Sequence, residues 1–341
     1  MKVLFIGPYG DGSTSKMRGI YLNKILKPSE YKVIDTEIPQ RGLNRWFLSI
    51  GWRFKRGPMI RIINKFIEDE LNGVYNYDMV WVEKGVFVLP AVLSELRKYS
   101  KKLVHFTPDP AFTYHRSDLF FNSIHLYDVC ITTKSFELDF YKSYGVQTLL
   151  TTQGFDPALH KPLHKLEDKA GIVFIGHREK NREELLSAIV EAGLNLTLAG
   201  INWNRFVYKY RGYPNLDYRG TGLYGADYAQ ALSKAQFGLG LLSKWIPETH
   251  TTRTFEIPAC KTILVTEKNL ELVSIFNPSE VLFYNNVDDL ITQINELQSN
   301  TSHLYKVMES GFEKVHSGEY DYENIILGIL TKLKLVEASF E

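Results

Sequence analysis

The chain has 341 residues, which is long for a single hydrophobic core and predicts two domains. Its 40 Lys and Arg residues balance its 39 Asp and Glu residues, and this near-zero net charge argues against a general nucleic-acid-binding protein. We expect no signal peptide, no membrane span and free thiols at Cys130 and Cys260, all of which predict a cytoplasmic protein.

The first part of the chain alternates predicted strands and helices. Short apolar runs, such as KVLFIG at 2–7 and YDMVWV at 77–82, predict buried strands. Helical spacing of apolar residues appears between such runs, for example at 89–100. Alternation of this kind predicts a parallel sheet with helices on both faces, so we predict an N-terminal Rossmann-like domain over residues 1–155.

The same pattern restarts after a polar stretch. Residues 156–170 contain prolines and show no clear period, so they predict a linker. The run GIVFIG at 171–176 then opens a second series of strands and helices. The predicted fold class is therefore α/β, with a second Rossmann-like domain over 171–320 and a C-terminal helix over 321–341.

Polar residues follow the predicted strands of the second domain. Gly176, His177 and Arg178 come directly after one strand, and Gly200 and Asn202 come after the next. Ligands of open parallel sheets bind beyond the carboxyl ends of the strands, so these five residues are candidate ligand-binding residues. Alternatively, the charged ones are solvated side chains at a helix start.

A second polar cluster precedes the apolar run at 263–267. We predict a helix that starts at about Thr251 or Thr252 and carries Arg253 in its first turn. Free N–H groups at a helix start bind anions, and an arginine beside them suits a phosphate group. Arg253 is thus a candidate for stabilising a diphosphate.

Two carboxylates flank this predicted helix start. Glu248 lies on the loop before it, and Glu256 lies one turn into it. Carboxylate oxygens accept hydrogen bonds from sugar hydroxyl groups, so the cluster suits a nucleotide diphosphate that carries a sugar. The alternative without a ligand is a surface ion pair between Arg253 and Glu256.

The spacing of Glu248 and Glu256 resembles the Glu-x7-Glu signature of GT-B glycosyltransferases. The stretch TRTFEIPAC at 252–260 resembles the CgeB-like (spore-maturation protein-like) branch, and similar segments run from about Lys2 to Tyr322. The resemblance implies two Rossmann-like domains that face a cleft, with the nucleotide sugar on the second and the acceptor on the first. It also implies that Glu248 faces the donor sugar, that Glu256 binds the ribose, and that no metal or other cofactor is needed.

Three features depart from that branch. Lys261 stands where the branch usually has glycine, which predicts a changed turn. Pro258 lies inside the expected helix and predicts a kink. The stretch HSGEYDYEN at 316–324 lacks an arginine that the branch tends to carry.

The glycine-rich loop at 7–18 is a candidate site in the first domain. Its glycines allow a close approach of phosphate, and Arg18 lies on the helix that follows. It does not have the GxGxxG spacing of a dinucleotide-binding loop. The resemblance implies that it faces the cleft, which makes Gly10 and Arg18 candidates there, together with Ser13 and Thr14.

Asp109 is the candidate general base. It follows a strand in the stretch HFTPDPAFTYHRSD at 105–118, and an inverting transferase needs a base near the acceptor hydroxyl. A retaining enzyme needs none. Alternatively, Asp109 is a turn residue between two prolines.

Residues 41–66 carry seven Lys or Arg residues and no acid, with aromatic residues between them. Such a segment suits peripheral contact with the inner face of a membrane, or an anionic or lipid-linked acceptor. The alternative is a solvated face whose aromatic residues anchor in the core.

Together these observations predict a metal-independent hexosyltransferase-like enzyme of polysaccharide biosynthesis. Its predicted partners are a nucleotide-sugar donor and a glycan, lipid-linked or protein acceptor, with no nucleic acid. The predicted catalytic residues are Asp109, Glu248 and Arg253. Two alternatives stay open: a nucleotide-sugar epimerase of the same fold, and a non-catalytic coat protein that binds sugars or nucleotides.

Overall fold

The computed structural model describes residues 1–71, 76–318 and 320–337. By their internal contacts, the residues form two compact units. Unit 1 comprises Met1–Thr152 and the chain from Ile325 onward, and unit 2 comprises Gln153–Asn324. Within the described ranges, no helix is both long and apolar enough to cross a membrane.

Unit 1 contains a six-stranded sheet in which every strand pair is parallel. The strand order is β2-β1-β3-β4-β5-β6. The strands are β1 (Lys2–Gly7), β2 (Glu30–Asp35), β3 (Tyr77–Glu83), β4 (Ser100–Thr107), β5 (Val129–Thr132) and β6 (Thr148–Leu150).

Helices connect these strands, as parallel pairing requires. They are α1 (Thr14–Leu26), α2 (Arg45–Phe54), α3 (Pro58–Leu71), α4 (Pro90–Lys98), α5 (Asp118–Phe121) and α6 (Leu138–Ser143). Short 3₁₀ turns occur in both units, at Ile38–Gln40, Ile124–Leu126, Ser135–Glu137 and Leu166–Asp168.

Unit 2 repeats the design with a second parallel six-stranded sheet, in the order β12-β11-β10-β7-β8-β9. Its strands are β7 (Ile172–Ile175), β8 (Leu196–Ala199), β9 (Leu216–Tyr218), β10 (Phe237–Leu239), β11 (Ile263–Glu267) and β12 (Leu282–Tyr284). Its helices are α7 (Lys180–Glu191), α8 (Asn204–Lys209), α9 (Gly225–Lys234), α10 (Arg253–Ala259), α11 (Leu270–Ile275), α12 (Val287–Ser299) and α13 (Thr301–Val315).

The central strands are buried on both faces, as the apolar runs predict. In β7, Phe174 packs in one core with Trp203, whereas Val173 and Ile175 pack in another core with Phe255. Because side chains alternate along a strand, these two cores lie on opposite faces of the sheet. The polar residues that follow each strand are therefore the ones left at the sheet edge.

Residues 156–170, predicted as a linker, belong to unit 2 in the structure. Phe155, just before them, pairs with Asp321 in an isolated bridge, and the His160 and Lys169 side chains are buried. The last helix, α14 (Tyr322–Lys332), lies within the predicted C-terminal helix and is part of unit 1 from Ile325 onward. Glu319 and residues 338–341, which those predictions include, lie outside the described residues.

Candidate functional site

In unit 2, Arg253 is anchored at the end of a central strand. Its Nη1 donates a hydrogen bond of 3.2 Å to the carbonyl oxygen of Ile175, the last residue of β7. Its Nε is buried and has no hydrogen-bond partner among the residues that the structure describes. The guanidinium thus carries a donor that the surrounding protein leaves unsatisfied.

A second arginine lies beside it. Arg182 on α7 is only 1% exposed, and its Nη2 lies 2.9 Å from Oε1 of Glu179. Its Nη1 donates to the backbone oxygen of His177 at 3.1 Å. Burial, and then the positive charges of Arg182 and Arg253, lower the pKa of His177, so its imidazole is neutral at neutral pH.

Two glutamates hold the loop that follows β10. Oε2 of Glu248 accepts the backbone N–H of Ser243 at 2.9 Å. Oε2 of Glu179 accepts the Ser243 hydroxyl at 3.2 Å and the backbone N–H of Lys244 at 3.3 Å. Through these bonds the predicted residues Glu248 and His177 share one network with Arg182.

Glu256 lies deeper than a surface carboxylate would. It is 4% exposed, and the Tyr228 hydroxyl donates to its Oε2 at 2.6 Å. Nε2 of His160 lies 3.8 Å from its Oε1. Nδ1 of His160 accepts the N–H of Asp156 at 3.1 Å, so the ring proton of the neutral form lies on Nε2, toward Glu256. Its predicted contact with a ribose stays a prediction.

The predicted helix start coincides with the start of α10. Thr252 occupies the N-cap position, but within the described structure its side chain makes no capping bond. Instead, the Thr254 hydroxyl accepts the N–H of Thr251 at 3.1 Å. Pro258 is the penultimate residue of α10, so the hydrogen bond that it removes lies in the last turn.

Lys261 itself adopts the conformation that glycine favours. Its φ is +58°, in the left-handed region, and its N–H donates to Pro258 at 2.8 Å. Its Nζ lies 2.7 Å from Glu309 and 4.9 Å from the centre of the Phe312 ring. The lysine therefore does not by itself require a different turn.

The glycine turns of unit 2 bring two loops into contact. A side chain on Gly200 would place its Cβ 1.9 Å from the carbonyl oxygen of Gly176, so only glycine fits there. The Trp203 indole donates to that same oxygen at 2.8 Å. Asn202 (φ +69°) and Arg178 are exposed, and Arg178 pairs with Glu183 on α7. Gly176 and Gly200 thus have a clear packing role.

Unit 1 contains a pocket of about 390 Å³ at the carboxyl edge of its sheet. Asp109 lies in it, with Oδ2 2.8 Å from Nζ of Lys84. Burial raises the pKa of Asp109, but the charges of Lys84 and His115 outweigh this and hold the pKa below its ordinary value. Asp109 is therefore an ionised carboxylate at neutral pH.

The rest of this pocket is largely apolar. Helix α2 supplies Leu48 and Trp52. The Trp52 ring packs edge to face on the Phe87 ring, with 4.8 Å between the ring centres. Hydroxyl and amide groups also line the pocket. These polar lining residues include Ser13, Thr14, Thr36 and Gln40.

The other two predicted residues of unit 1 have structural contacts. Arg18 is 2% exposed and bonds to Glu83 through both Nε and Nη2. A Cβ on Gly10 would lie 2.5 Å from Oε2 of Glu37. Arg18 thus lies in a buried ion pair and does not lie open in the loop.

Residues 178–331 match a family described as glycosyl transferase-like. A search of curated proteins finds no match. Sucrose-phosphate synthase from Thermosynechococcus elongatus aligns with 14% identity, 98% coverage of both chains and a TM-score of 0.69. HepE from Anabaena, solved with UDP, aligns with 13% identity, 98% and 100% coverage and a TM-score of 0.64.

A glycosyltransferase from Rickettsia africae aligns with 14% identity, 99% coverage of both chains and a TM-score of 0.61. The chain has the GT-B fold. The predicted class, two Rossmann-like α/β domains, is therefore confirmed. The matched family region contains Arg178, Glu179, Arg182, Glu248, Arg253 and Glu256 of the unit 2 site.

Three residues of this network were not predicted from the sequence: Glu179, Arg182 and Ser243. Arg182 stands in the polar run NREEL, where a solvated side chain is the ordinary expectation. The one available signal was the spacing of Glu179 and Arg182, three residues apart at the start of a predicted helix. In the described ranges, no group of three or more His, Cys, Asp or Glu residues is arranged to hold a metal ion.

Proposed function

We propose that the protein is a glycosyltransferase that moves a sugar from a nucleotide-diphosphate donor to an acceptor. The observation that carries this proposal is the pair of arginines in unit 2. Arg253 and Arg182 each have a buried Nε without a partner in the described structure, at the edge where parallel sheets bind ligands. A diphosphate supplies the missing acceptors and the opposite charge.

The donor site also has groups for a sugar. Glu248, Glu256 and the backbone around Gly176 lie near the arginines and suit hydroxyl groups of a hexose or a ribose. HepE, which shares the fold, was solved with UDP and with UDP-glucose, and this supports a nucleotide-sugar donor. We extend the proposal to Arg178, Asn202, Thr251 and Thr252 as further donor contacts.

Catalysis in this proposal rests on positioning and on charge. Arg253 stabilises the departing diphosphate, with no need for a metal ion. Asp109 accepts the acceptor's proton if the reaction inverts the sugar, since it is ionised and lies in the unit 1 pocket. The low pKa makes Asp109 a modest base, and a retaining reaction does not need it.

We place the acceptor in the unit 1 pocket. A volume of about 390 Å³ suits a small molecule or the end of a larger one, and the apolar wall suits an acceptor with an apolar part. A glycan, a lipid-linked sugar or a protein side chain fits this description. With such an acceptor, we propose that the enzyme acts in polysaccharide biosynthesis beside a membrane. Membership of the CgeB-like branch also stays a proposal.

The test is a thermal-shift screen of UDP, GDP, dTDP, CMP and ADP. We expect one nucleotide to raise the melting temperature of the wild type and to leave Arg253→Ala unchanged. Arg205 is an exposed arginine on α8, so Arg205→Ala is the matched control and should respond like the wild type. No shift with any nucleotide would contradict the proposal.

Product analysis then separates the alternatives. A glycosyltransferase releases the nucleotide from its donor, by transfer or by slow hydrolysis. An epimerase converts one nucleotide sugar into another with the nucleotide still attached, and a coat protein binds without turnover. Nucleotide release that Arg253→Ala abolishes supports the proposal, whereas interconversion without release favours the epimerase.

A further inference from the structure

Helix α2 exposes three apolar side chains on one face. Trp46, Ile50 and Phe54 are spaced four residues apart and so share one face, on which Trp46 is 76% and Phe54 51% exposed. The inward face carries Gly51, which is buried against Met59. A helix on the surface of a globular protein normally has the reverse arrangement. This face is therefore suited to contact with something other than the core of unit 1.

Positive charge surrounds this apolar face. Residues 41–66 contain seven Lys or Arg residues and no acid. The guanidinium carbons of Arg53 and Arg56 lie 5.4 and 5.6 Å from the centre of the Phe54 ring, and Arg45 is exposed on the first turn. The outward side of α2 is thus both apolar and cationic.

We propose that this face docks on an anionic lipid surface. Trp46, Ile50 and Phe54 would enter the headgroup region, and the neighbouring basic side chains would contact lipid phosphates. Charge complementarity selects this partner. A second copy of the chain would bring Arg45, Arg53 and Arg56 to both sides of a two-fold interface, which disfavours self-association.

Docking would also explain why α2 forms a wall of the unit 1 pocket. Leu48 and Trp52 line that pocket from the same helix, so a docked protein holds the pocket beside lipid headgroups. A lipid-linked acceptor would then reach Asp109 from the membrane surface. This consequence for the acceptor rests on the proposed function, whereas the docking itself does not.

The experiment is co-sedimentation of the full chain with vesicles. We expect binding to phosphatidylcholine vesicles that contain phosphatidylglycerol, little binding to phosphatidylcholine alone, and weaker binding at high salt. The double variants Trp46→Gln/Ile50→Gln and Arg45→Glu/Arg53→Glu should each lower the affinity at least about tenfold. Because these side chains are exposed, the fold should tolerate the changes.

Matched controls lie in unit 2. Trp245→Gln replaces a tryptophan that is 80% exposed, and Arg205→Glu/Arg211→Glu makes the same change in charge as the α2 pair. Both controls should bind vesicles like the wild type. The proposal is overturned if phosphatidylglycerol does not increase binding of the wild type, or if the controls lose as much affinity as the α2 variants. It is also overturned if α2 instead forms a dimer interface that Trp46→Gln/Ile50→Gln disrupts.

A nucleotide thermal shift on the same proteins keeps the two proposals apart. The α2 variants should respond to the nucleotide as the wild type does, because unit 2 is unchanged. If no protein responds to any nucleotide, the proposed function fails while the vesicle result stands. If the response is intact but no vesicles bind, the docking proposal alone fails.

Discussion

Each unit buries one arginine against a glutamate close to the carboxyl edge of its sheet, and the two pairs differ in what they leave unpaired. In unit 1, Arg18 gives both Nε and Nη2 to Glu83, which also accepts the Trp81 indole N–H at 3.1 Å. In unit 2, Arg182 pairs with Glu179 through Nη2, and its Nε finds no partner in the described ranges. The first pair is closed, and the second retains an unsatisfied donor.

This difference extends to the surroundings of the two pairs. The edge of unit 2 gathers a second arginine, a neutral histidine and two carboxylates. The edge of unit 1 forms a mainly apolar pocket that also holds the ion pair of Lys84 with Asp109. The same alternation of strands and helices thus carries a charged edge in unit 2, where we propose an anion site, and a mainly apolar pocket in unit 1, because the residues after each strand differ.

The largest expected effects on stability come from replacing the arginine of each buried ion pair. Arg18→Ala leaves Glu83 as an unpaired buried carboxylate and should lower the free energy of unfolding by about 3–5 kcal/mol. Arg182→Ala should also be destabilising, because Glu179 loses its charged partner and keeps only its hydrogen bonds to Ser243 and Lys244. Urea unfolding measures both losses.

Nucleotide binding then separates the two variants. Folded Arg18→Ala should keep the thermal shift of the wild type with the best nucleotide, and folded Arg182→Ala should lose it. If Arg18→Ala also loses the shift, it is wrong to assign a structural role to the Arg18–Glu83 pair and a role in nucleotide binding to the Arg182–Glu179 pair. Circular dichroism at low temperature checks that each variant is folded.

The next effect in size is on the reaction. Arg253→Ala should lower the rate of nucleotide release from the donor about 10²–10³-fold, because the departing diphosphate loses its aligned cation. Arg253→Lys retains the charge without the anchored geometry and should recover part of the rate. A full rate in Arg253→Ala, with Arg205→Ala as the control, would remove the main support for the unit 2 site.

A pH effect distinguishes unit 1. Burial lowers the pKa of His105 to about 4; its Nε2 lies 3.0 Å from the Lys84 carbonyl oxygen, and its buried Nδ1 lacks a partner in the described part of the chain. An unfolded histidine has a pKa of about 6.5, so between that pH and about 4 the unfolded chain binds a proton that the folded chain does not bind. The free energy of unfolding should therefore fall by about 3 kcal/mol as the pH drops from about 6.5 to 4.

The variant His105→Gln tests this assignment, because it cannot titrate and still donates toward Lys84. Urea unfolding at several pH values should show a smaller acid loss for this variant than for the wild type. Equal losses in the two proteins would assign the acid sensitivity to other groups.

The strands were predictable from the sequence because their signal is local. The run at 2–7 coincides with β1, and the run at 171–176 contains β7, since apolar residues and a terminal glycine mark a buried parallel strand by themselves. The start of α10 near Arg253 was predictable for the same reason. Each of these signals lies within a few residues of the feature that it marks.

Burial of the charged residues was not predictable, because it depends on distant segments. Glu256 is enclosed by Tyr228 from α9 and by His160 from the stretch predicted as a linker. Arg182 is covered where its Nη2 donates to the carbonyl oxygen of Leu241 at 3.4 Å, just after β10, the strand that pairs with β7. A single sequence without its fold gives no sign of these contacts, so it predicted the candidate Arg253 and missed its neighbour.

The smallest expected effect is that of removing divalent metal ions. In unit 2 the Arg253 guanidinium bonds to a backbone carbonyl oxygen rather than to a carboxylate, so its charge can oppose that of a departing diphosphate without a metal ion. Nucleotide release should therefore be unchanged in EDTA and unchanged again on adding Mg²⁺. A loss in EDTA that Mg²⁺ restores would mean that the arginines of unit 2 hold the donor without neutralising its leaving group, and it would move that role to a metal ion.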